Sequence, residues 1–121
     1  MQYMLLIHTS DDGWNALSEA EQGEIYSAYG AFTQALREKG AFLGGDQLAG
    51  AGDATTVRVR DGETLITDGP FAETKEQLGG YYLIEAESLD EAIEWAARIP
   101  GARYGVIEVR PVVMQSAEVA G

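Results

Sequence analysis

The sequence predicts an α+β fold of the ferredoxin-like type, a split βαβ sheet with an inserted β-hairpin. Three observations support this prediction. Apolar segments of strand length alternate with two helical segments in the order strand, helix, strand, hairpin, strand, helix, strand. Both helices open with a Ser-x-x-Glu capping box, at Ser18 to Glu21 and at Ser88 to Glu91. The pair Asp61-Gly62, a strong two-residue turn signal, joins the strands of the hairpin.

The first half of the chain supplies a strand, a helix and a second strand. Residues 3–8 form a near-continuous apolar run that ends at a polar loop, which is typical of a buried strand. The helix after Ser18 carries apolar residues at spacings of three and four and ends at Gly40. Gly30 suggests a close backbone approach within this helix. The second strand is predicted over residues 41–48, where Gly44-Gly45 indicates a bulge or a crowded contact.

The second half repeats this order after the hairpin. The hairpin strands are predicted at residues 55–60 and 63–67, and the fifth strand at residues 80–86. A second helix follows Ser88 and stops at Pro100-Gly101, and residues 104–110 form the last strand. We expect residues 1–114 to be a single domain. Residues 115–121 are small and polar, which predicts a flexible C-terminal tail.

Both faces of the predicted sheet are apolar, and this predicts a homodimer. Successive strand residues point to opposite faces. In the first strand Tyr3, Leu5 and Ile7 therefore share one face, while Met4, Leu6 and His8 share the other. Two helices can cover only one face of such a sheet, and an exposed apolar face favours association. We expect a second copy to cover the remaining face through a closed two-fold interface.

The composition excludes several classes of function. The 121 residues contain no cysteine and a single histidine, so thiolate chemistry and multi-histidine metal sites are excluded. Neither a Gly-x-Gly-x-x-Gly motif nor a phosphate-binding loop is present, and we expect no cofactor and no metal. The net charge of −12 disfavours nucleic acids and anionic membranes as partners. The N-terminal apolar run is short and lacks a basic leader, which leads us to expect a cytoplasmic protein.

His8 and Asp68 are the candidate catalytic residues. His8 is the only side chain whose ordinary pKa lies near neutrality, and it ends the first strand, where it could transfer a proton. The alternative is a strand-end histidine that hydrogen-bonds a backbone carbonyl and half faces water. Asp68 opens a charged block that continues through Gly80. Its carboxylate could orient His8 or a substrate, or it could simply accept backbone N–H groups in an Asx turn before Pro70.

Four residues are candidates for substrate binding. Trp14 follows His8 in a predicted loop and is expected at the mouth of a pocket. Tyr29 is expected to supply an aromatic wall, although it also fits the apolar stripe of the first helix. Phe71 is expected to anchor the charged block in the core. Lys75 could offer a cation to an anionic ligand, or it could belong to a solvated rim.

The chain also resembles the DGPF branch of the YCII-related family. The likeness runs from about Gln2 to Met114 and is most specific in the block DGPFAETKEQLGGYYLIE, residues 68–85. The resemblance implies a dimeric α+β barrel. It also implies a superfamily with isomerases, monooxygenases and lyases acting on aromatic or lactone-like compounds. The histidine that the shorter YCII branch carries on its first helix has no counterpart between Ser18 and Lys39.

Two functions therefore remain as hypotheses. The first is a cofactor-independent enzyme that performs acid/base chemistry on a small aromatic or enolisable molecule. The second is a non-catalytic dimer that binds a ligand or a protein partner. The resemblance links this second function to transcription control that depends on a sigma factor. In that case the charged residues 73–76 would be the recognition surface.

Overall fold

The fold was obtained as a computed structural model, and the structure describes residues 1–113. It confirms the predicted α+β class and the order of elements. The strands are β1 (Gln2–Thr9), β2 (Phe42–Gln47), β3 (Thr55–Arg60), β4 (Glu63–Asp68), β5 (Gln77–Glu85) and β6 (Val106–Pro111). The helices are α1 (Asp11–Asn15), α2 (Glu19–Glu38) and α3 (Leu89–Arg98). The predicted tail at residues 115–121 lies outside the described residues.

Four strands form one antiparallel sheet in the order β2-β5-β1-β6. Helix α2 connects β1 to β2, and α3 connects β5 to β6. Each crossover spans one intervening strand, as in a ferredoxin-like split βαβ fold. The inserted strands β3 and β4 pair only with each other and form a separate two-stranded sheet. The predicted topology is therefore correct.

The core lies between the two long helices and one face of the sheet. The buried strand residues on this face are Tyr3, Leu5, Ile7, Tyr82 and Ile84. Phe32 of α2 packs edge-on against Tyr82 and Trp95, with ring centroids 5.1 and 5.9 Å apart. The alternation along β1 thus buries the face that carries Tyr3, Leu5 and Ile7.

Local sequence signals explain the length and ends of α2. The Ser18 side chain accepts the Glu21 N–H while the Glu21 carboxylate accepts the Ser18 N–H, which completes the capping box. Gly40 has a φ of 73°, a left-handed value that suits glycine just beyond a helix. The expectation of a close approach at Gly30 is wrong, because a Cβ built there meets nothing within 4 Å.

The crowded glycine lies instead in β2. The register between β2 and β5 shifts between Phe42 and Gly44, which is the predicted bulge. A Cβ on Gly45 would lie 2.8 Å from the backbone oxygen of Tyr81 and 2.9 Å from Cδ1 of Tyr82. Only glycine therefore allows β2 to approach β5 this closely.

The second face of the sheet is open in the single chain. Met4, Leu6 and His8 of β1 are half-buried on it, opposite the buried face. Their cross-strand neighbours share this face: Leu78, Tyr81, Leu83, Val106, Glu108 and Arg110. The β3–β4 hairpin is also largely exposed, with φ of 53° at Asp61 and 79° at Gly62 forming its tight turn.

Besides two 3₁₀ turns at Ala51–Asp53 and Pro100–Arg103, the sequence did not predict the short helix α1. Its Ser10 cap accepts the Gly13 N–H, and Asp11 and Asp12 occupy the favourable first turn. Within residues 1–113 no helix is long and apolar enough to cross a membrane.

Candidate functional site

A cleft of about 850 Å³ opens between α2 and the edge of the sheet formed by β2 and β5. One face of α2 forms its first wall through Tyr26, Tyr29, Thr33 and Arg37. These residues recur at spacings of three and four, so they lie along one stripe of the helix. The same helix buries Phe32 and Leu36 in the core, and Tyr29 packs against that core at the border of the cleft. The packing stripe and the cleft stripe of α2 are therefore adjacent.

The opposite wall is built from β2 and β5. Two hydrogen bonds hold its polar side chains. The Tyr81 hydroxyl donates to Oδ2 of Asp46 at 3.1 Å. The Tyr82 hydroxyl and Oγ1 of Thr33 lie 2.8 Å apart and link this wall to α2. Tyr82 points toward α2, whereas Tyr81 and its cross-strand neighbour Asp46 lie on the other side of the strands, at the rim of the cleft.

A cluster of three aromatic side chains closes the end of the cleft that lies near the end of β1. Trp14 of α1 meets Tyr26 edge-on with centroids 5.3 Å apart, and its centroid is 6.1 Å from that of Tyr104. Gln22 of α2 donates to the backbone oxygen of Trp14 at 3.1 Å, which ties α1 to α2. Such flat, polarisable walls favour an aromatic ring as ligand.

Tyr29 places a protonated hydroxyl at this aromatic end. The Gly101 N–H donates to its oxygen at 3.1 Å, and burial raises the pKa of Tyr29 well above its ordinary value. A Cβ on Gly101 would lie 2.6 Å from that oxygen, so glycine is required there. Because the N–H occupies one lone pair, the hydroxyl keeps its proton for a second partner, either Tyr104 or a bound ligand.

A cation stands at each end of the cleft. Arg37 lies with its guanidinium 4.3 Å from the centroid of the Phe42 ring, at the end of α2. Lys75 lies at the aromatic end, in the loop before β5, where Gln77 pairs with Thr9. The Gln77 side chain fixes this loop by donating to the backbone oxygens of Ala72 and Thr74 at 2.9 and 2.7 Å.

Three of the predicted site residues line the cleft: Trp14, Tyr29 and Lys75. His8 does not, because it points to the opposite face of the sheet from its neighbours Ile7 and Thr9. Its Nε2 lies 3.1 Å from Oε1 of Glu108, whose Oε2 accepts a 2.7 Å hydrogen bond from Arg110. Arg110 and, to a smaller extent, His8 lower the pKa of the Glu108 carboxyl.

Asp68 and Phe71 lie elsewhere. Asp68 ends β4 in the separate hairpin, and within residues 1–113 its carboxylate bonds neither His8 nor a backbone N–H. An Asx turn at Asp68 would need the N–H two residues on, which Pro70 lacks, and the Gly69 N–H donates to Ala54 O at 2.7 Å. Phe71 is 79% exposed, so the expectation that it anchors the loop in the core is wrong. Gly69, with φ of 99°, turns the chain outward just before it.

Sequence reasoning missed several cleft residues, chiefly Arg37, Asp46 and Tyr104. For Arg37 a signal existed, because it continues the spacing of Tyr26, Tyr29 and Thr33 along α2. Asp46 and Tyr104 reach the cleft only through tertiary packing, which no local pattern reveals. No group of three or more His, Asp or Glu side chains in the described part of the chain is arranged to hold a metal ion.

Comparisons with known proteins agree with this fold. A solved 5-chloro-2-hydroxyhydroquinone dehydrochlorinase from Burkholderia phenoliruptrix AC1100, in complex with 2,5-dihydroxybenzoquinone, aligns over 95% of this chain and 96% of its own. The TM-score is 0.58 at 17% identity, so the likeness concerns the fold alone. An uncharacterised protein of Rhizobium meliloti (strain 1021) is 37% identical over 116 residues, 94% of each chain. The model of the YCII-related domain matches residues 1–116, and the chain therefore belongs to the YCII-related family.

Proposed function

We propose that this protein is a cofactor-independent enzyme that performs acid/base chemistry on a small aromatic or enolisable molecule bound in the cleft. One observation carries the proposal. Trp14, Tyr26, Tyr29 and Tyr104 converge on the end of a cleft that also presents a protonated hydroxyl and carboxylates. An apolar, aromatic pocket with a few convergent polar groups is the usual form of a small-molecule site.

The chemistry follows from the groups in the cleft. The Tyr29 hydroxyl stays protonated at neutral pH because burial raises its pKa, and it can donate to a carbonyl or enolate oxygen. Asp46 supplies a carboxylate at the rim of the cleft, on the same side of the sheet as Tyr81, whose hydroxyl donates to it. Since His8 points away from the cleft and Asp68 lies in the hairpin, the geometry favours Tyr29, rather than a His8 oriented by Asp68, for the proton transfer.

The assembly in this proposal is a homodimer. Met4, Leu6 and Leu83 lie together on the open face of the four-stranded sheet, and Val106 beside them is 52% exposed. An isologous contact between two such faces would cover them. His8 and Glu108 would then lie within the dimer interface, where a hydrogen-bonded pair serves packing and register.

Ligand binding is tested with 2,5-dihydroxybenzoquinone, the compound bound by the structural neighbour. Trp14 lines the cleft whereas Trp95 is buried in the core, so the two indole N–H signals in ¹⁵N NMR report on different places. We expect the quinone to shift the Trp14 signal and leave the Trp95 signal in place. Shifts of both signals, or of neither, would argue against a site in the cleft.

Turnover is tested by the exchange of the quinone ring protons with deuterated solvent. We expect the protein to accelerate this exchange, and Tyr29→Phe to lower the acceleration by about 10² to 10⁴, the usual contribution of a positioned acid or base. The matched variant His8→Gln should retain the wild-type rate, because His8 lies on the other face. Equal losses in both variants would contradict the assignment of Tyr29.

Binding without exchange would instead support the second candidate, a non-catalytic dimer that binds a ligand or a partner in sigma-factor-linked control. The surface concerned is the loop at residues 73–76, in which Glu73 and Lys75 are exposed. The alanine variant of Lys75 and Glu76 would then lose capture of a co-purified sigma factor, while an unchanged capture would exclude this loop.

A further inference from the structure

We infer that the cleft takes an elongated aromatic acid, with its ring at the Trp14 end and its anionic group at Arg37. This inference rests on the proposed function, because it names the class of molecule that the same cleft would accept. The observation behind it is the order of side chains along α2, where aromatic Tyr29 is followed by neutral Thr33 and then by cationic Arg37.

The length of the ligand follows from the helix. Tyr29, Thr33 and Arg37 lie on one stripe of α2 and all line the cleft. Eight residues separate Tyr29 from Arg37, and a rise of about 1.5 Å per residue places them about 12 Å apart along the axis. A ring against Tyr29 and an acid at Arg37 must therefore be joined by a linker of several carbon atoms.

The middle of the cleft favours an apolar linker. The hydroxyls of Thr33 and Tyr82 lie 2.8 Å apart and bond each other across the middle of the cleft. Because each already has a partner, a linker with its own donors and acceptors would lose bonds to water and find few replacements there. A hydrocarbon linker has no such requirement.

Arg37 is suited to the anionic end. Its guanidinium lies over the Phe42 ring at 4.3 Å, and no carboxylate of the described chain lies within 4.0 Å of it. Stacking holds the guanidinium plane while its edge keeps donors for a bidentate carboxylate. The chain has 20 acidic residues against 8 basic ones, so an arginine without a carboxylate within this distance is unexpected.

Arg98 provides a matched control for Arg37. It is also stacked on an aromatic ring, with its guanidinium 4.5 Å from the centroid of Trp95. It ends α3, as Arg37 lies near the end of α2, but it does not line the cleft. Replacing either arginine by methionine removes one charge and one stacked group, and only the Arg37 change alters the cleft.

The test compares phenyloctanoate with its neutral amide, phenyloctanamide, and with the short acid phenylacetate, each below its micellar concentration. Affinities are measured by calorimetry, and the Trp14 indole N–H signal checks that binding occurs in the cleft. We expect the octanoate to bind about tenfold or more tightly than either other compound, as a charged hydrogen-bonded pair at the correct distance implies. Arg37→Met should remove the preference for the acid over the amide, and Arg98→Met should retain it.

The possible results distinguish the class of ligand from the location of the site. Equal affinities of acid and amide for the wild type, or an unchanged preference in Arg37→Met, would overturn the role of Arg37. An affinity of phenylacetate equal to that of the octanoate would overturn the predicted length. Either result, with 2,5-dihydroxybenzoquinone still shifting the Trp14 signal, leaves the cleft as the site; failure of all four compounds overturns the site and this inference together.

Discussion

At the scale of single residues, the hydroxyl of Tyr29 combines structure with proposed chemistry. It accepts the Gly101 N–H at 3.1 Å and so joins α2 to the turn after α3. The same burial that makes this bond useful raises its pKa and keeps the phenol protonated. Because the Tyr29 hydroxyl both accepts a backbone N–H and faces the cleft, its removal should change the stability of the protein as well as its turnover.

Tyr29→Phe should therefore lower the free energy of unfolding by about 1 kcal/mol at neutral pH, because the Gly101 N–H loses its acceptor. The unfolded phenol ionises near its ordinary pKa of 10.0, while the folded phenol still holds its proton. The contribution of Tyr29 is thus complete below about pH 10 and is lost as the pH rises above it. Urea unfolding across this range should show the gap between wild type and variant shrinking, and a gap that widens would contradict the raised pKa.

Which of these residues the sequence could predict depends on how local their signals are. The sequence predicts Trp14 and Tyr29 as walls of a pocket near the end of the first strand, and both line the cleft. For His8, period-two alternation already placed it opposite Ile7, and the structure keeps it on the open face. Its partner Glu108 is 100 residues away in the chain, and only strand pairing reveals such a neighbour.

At the scale of elements, signals that repeat along the chain identified most of the fold. Alternation and capping boxes found the strands and both long helices. Helix α1 escaped because its five residues are too few to show a helical period. The outward turn of Phe71 escaped because it depends on the left-handed Gly69 and on the tie from Gln77, neither of which alters hydrophobic periodicity.

Gly44 and Gly45 of β2 allow a direct test of how closely β2 approaches β5. Gly45→Ala should destabilise the protein by roughly 1–3 kcal/mol, because its Cβ would press on the Tyr81 backbone oxygen at 2.8 Å and on the Tyr82 ring. Gly44→Ala meets nothing within 4 Å and should change stability by no more than about 0.5 kcal/mol. Thermal unfolding of both variants measures the contrast, and equal effects would show that β2 does not approach β5 as described.

At the scale of the whole molecule, apolar surface is distributed asymmetrically. The helices cover one face of the sheet, whereas the other face and the hairpin present exposed apolar side chains, including Val57, Val59 and Ile66. A two-stranded hairpin with so little support is marginally stable in water. The exposed sheet face and the weakly supported hairpin both favour association with a second copy of the chain.

The homodimer is tested by a charge on the open face. Leu83→Asp places a carboxylate beside Met4 and, in the two-fold assembly, near the same face of the second copy. We expect the wild type to sediment as a dimer and this variant as a monomer, because a stable interface of about 800 Å² per partner does not tolerate buried unpaired charges. Ile93→Asp adds the same charge at a half-exposed site on α3, away from the sheet, and should remain dimeric. A wild type that sediments as a monomer at all concentrations would refute the assembly, and loss of the dimer in both variants would refute the role of the sheet face.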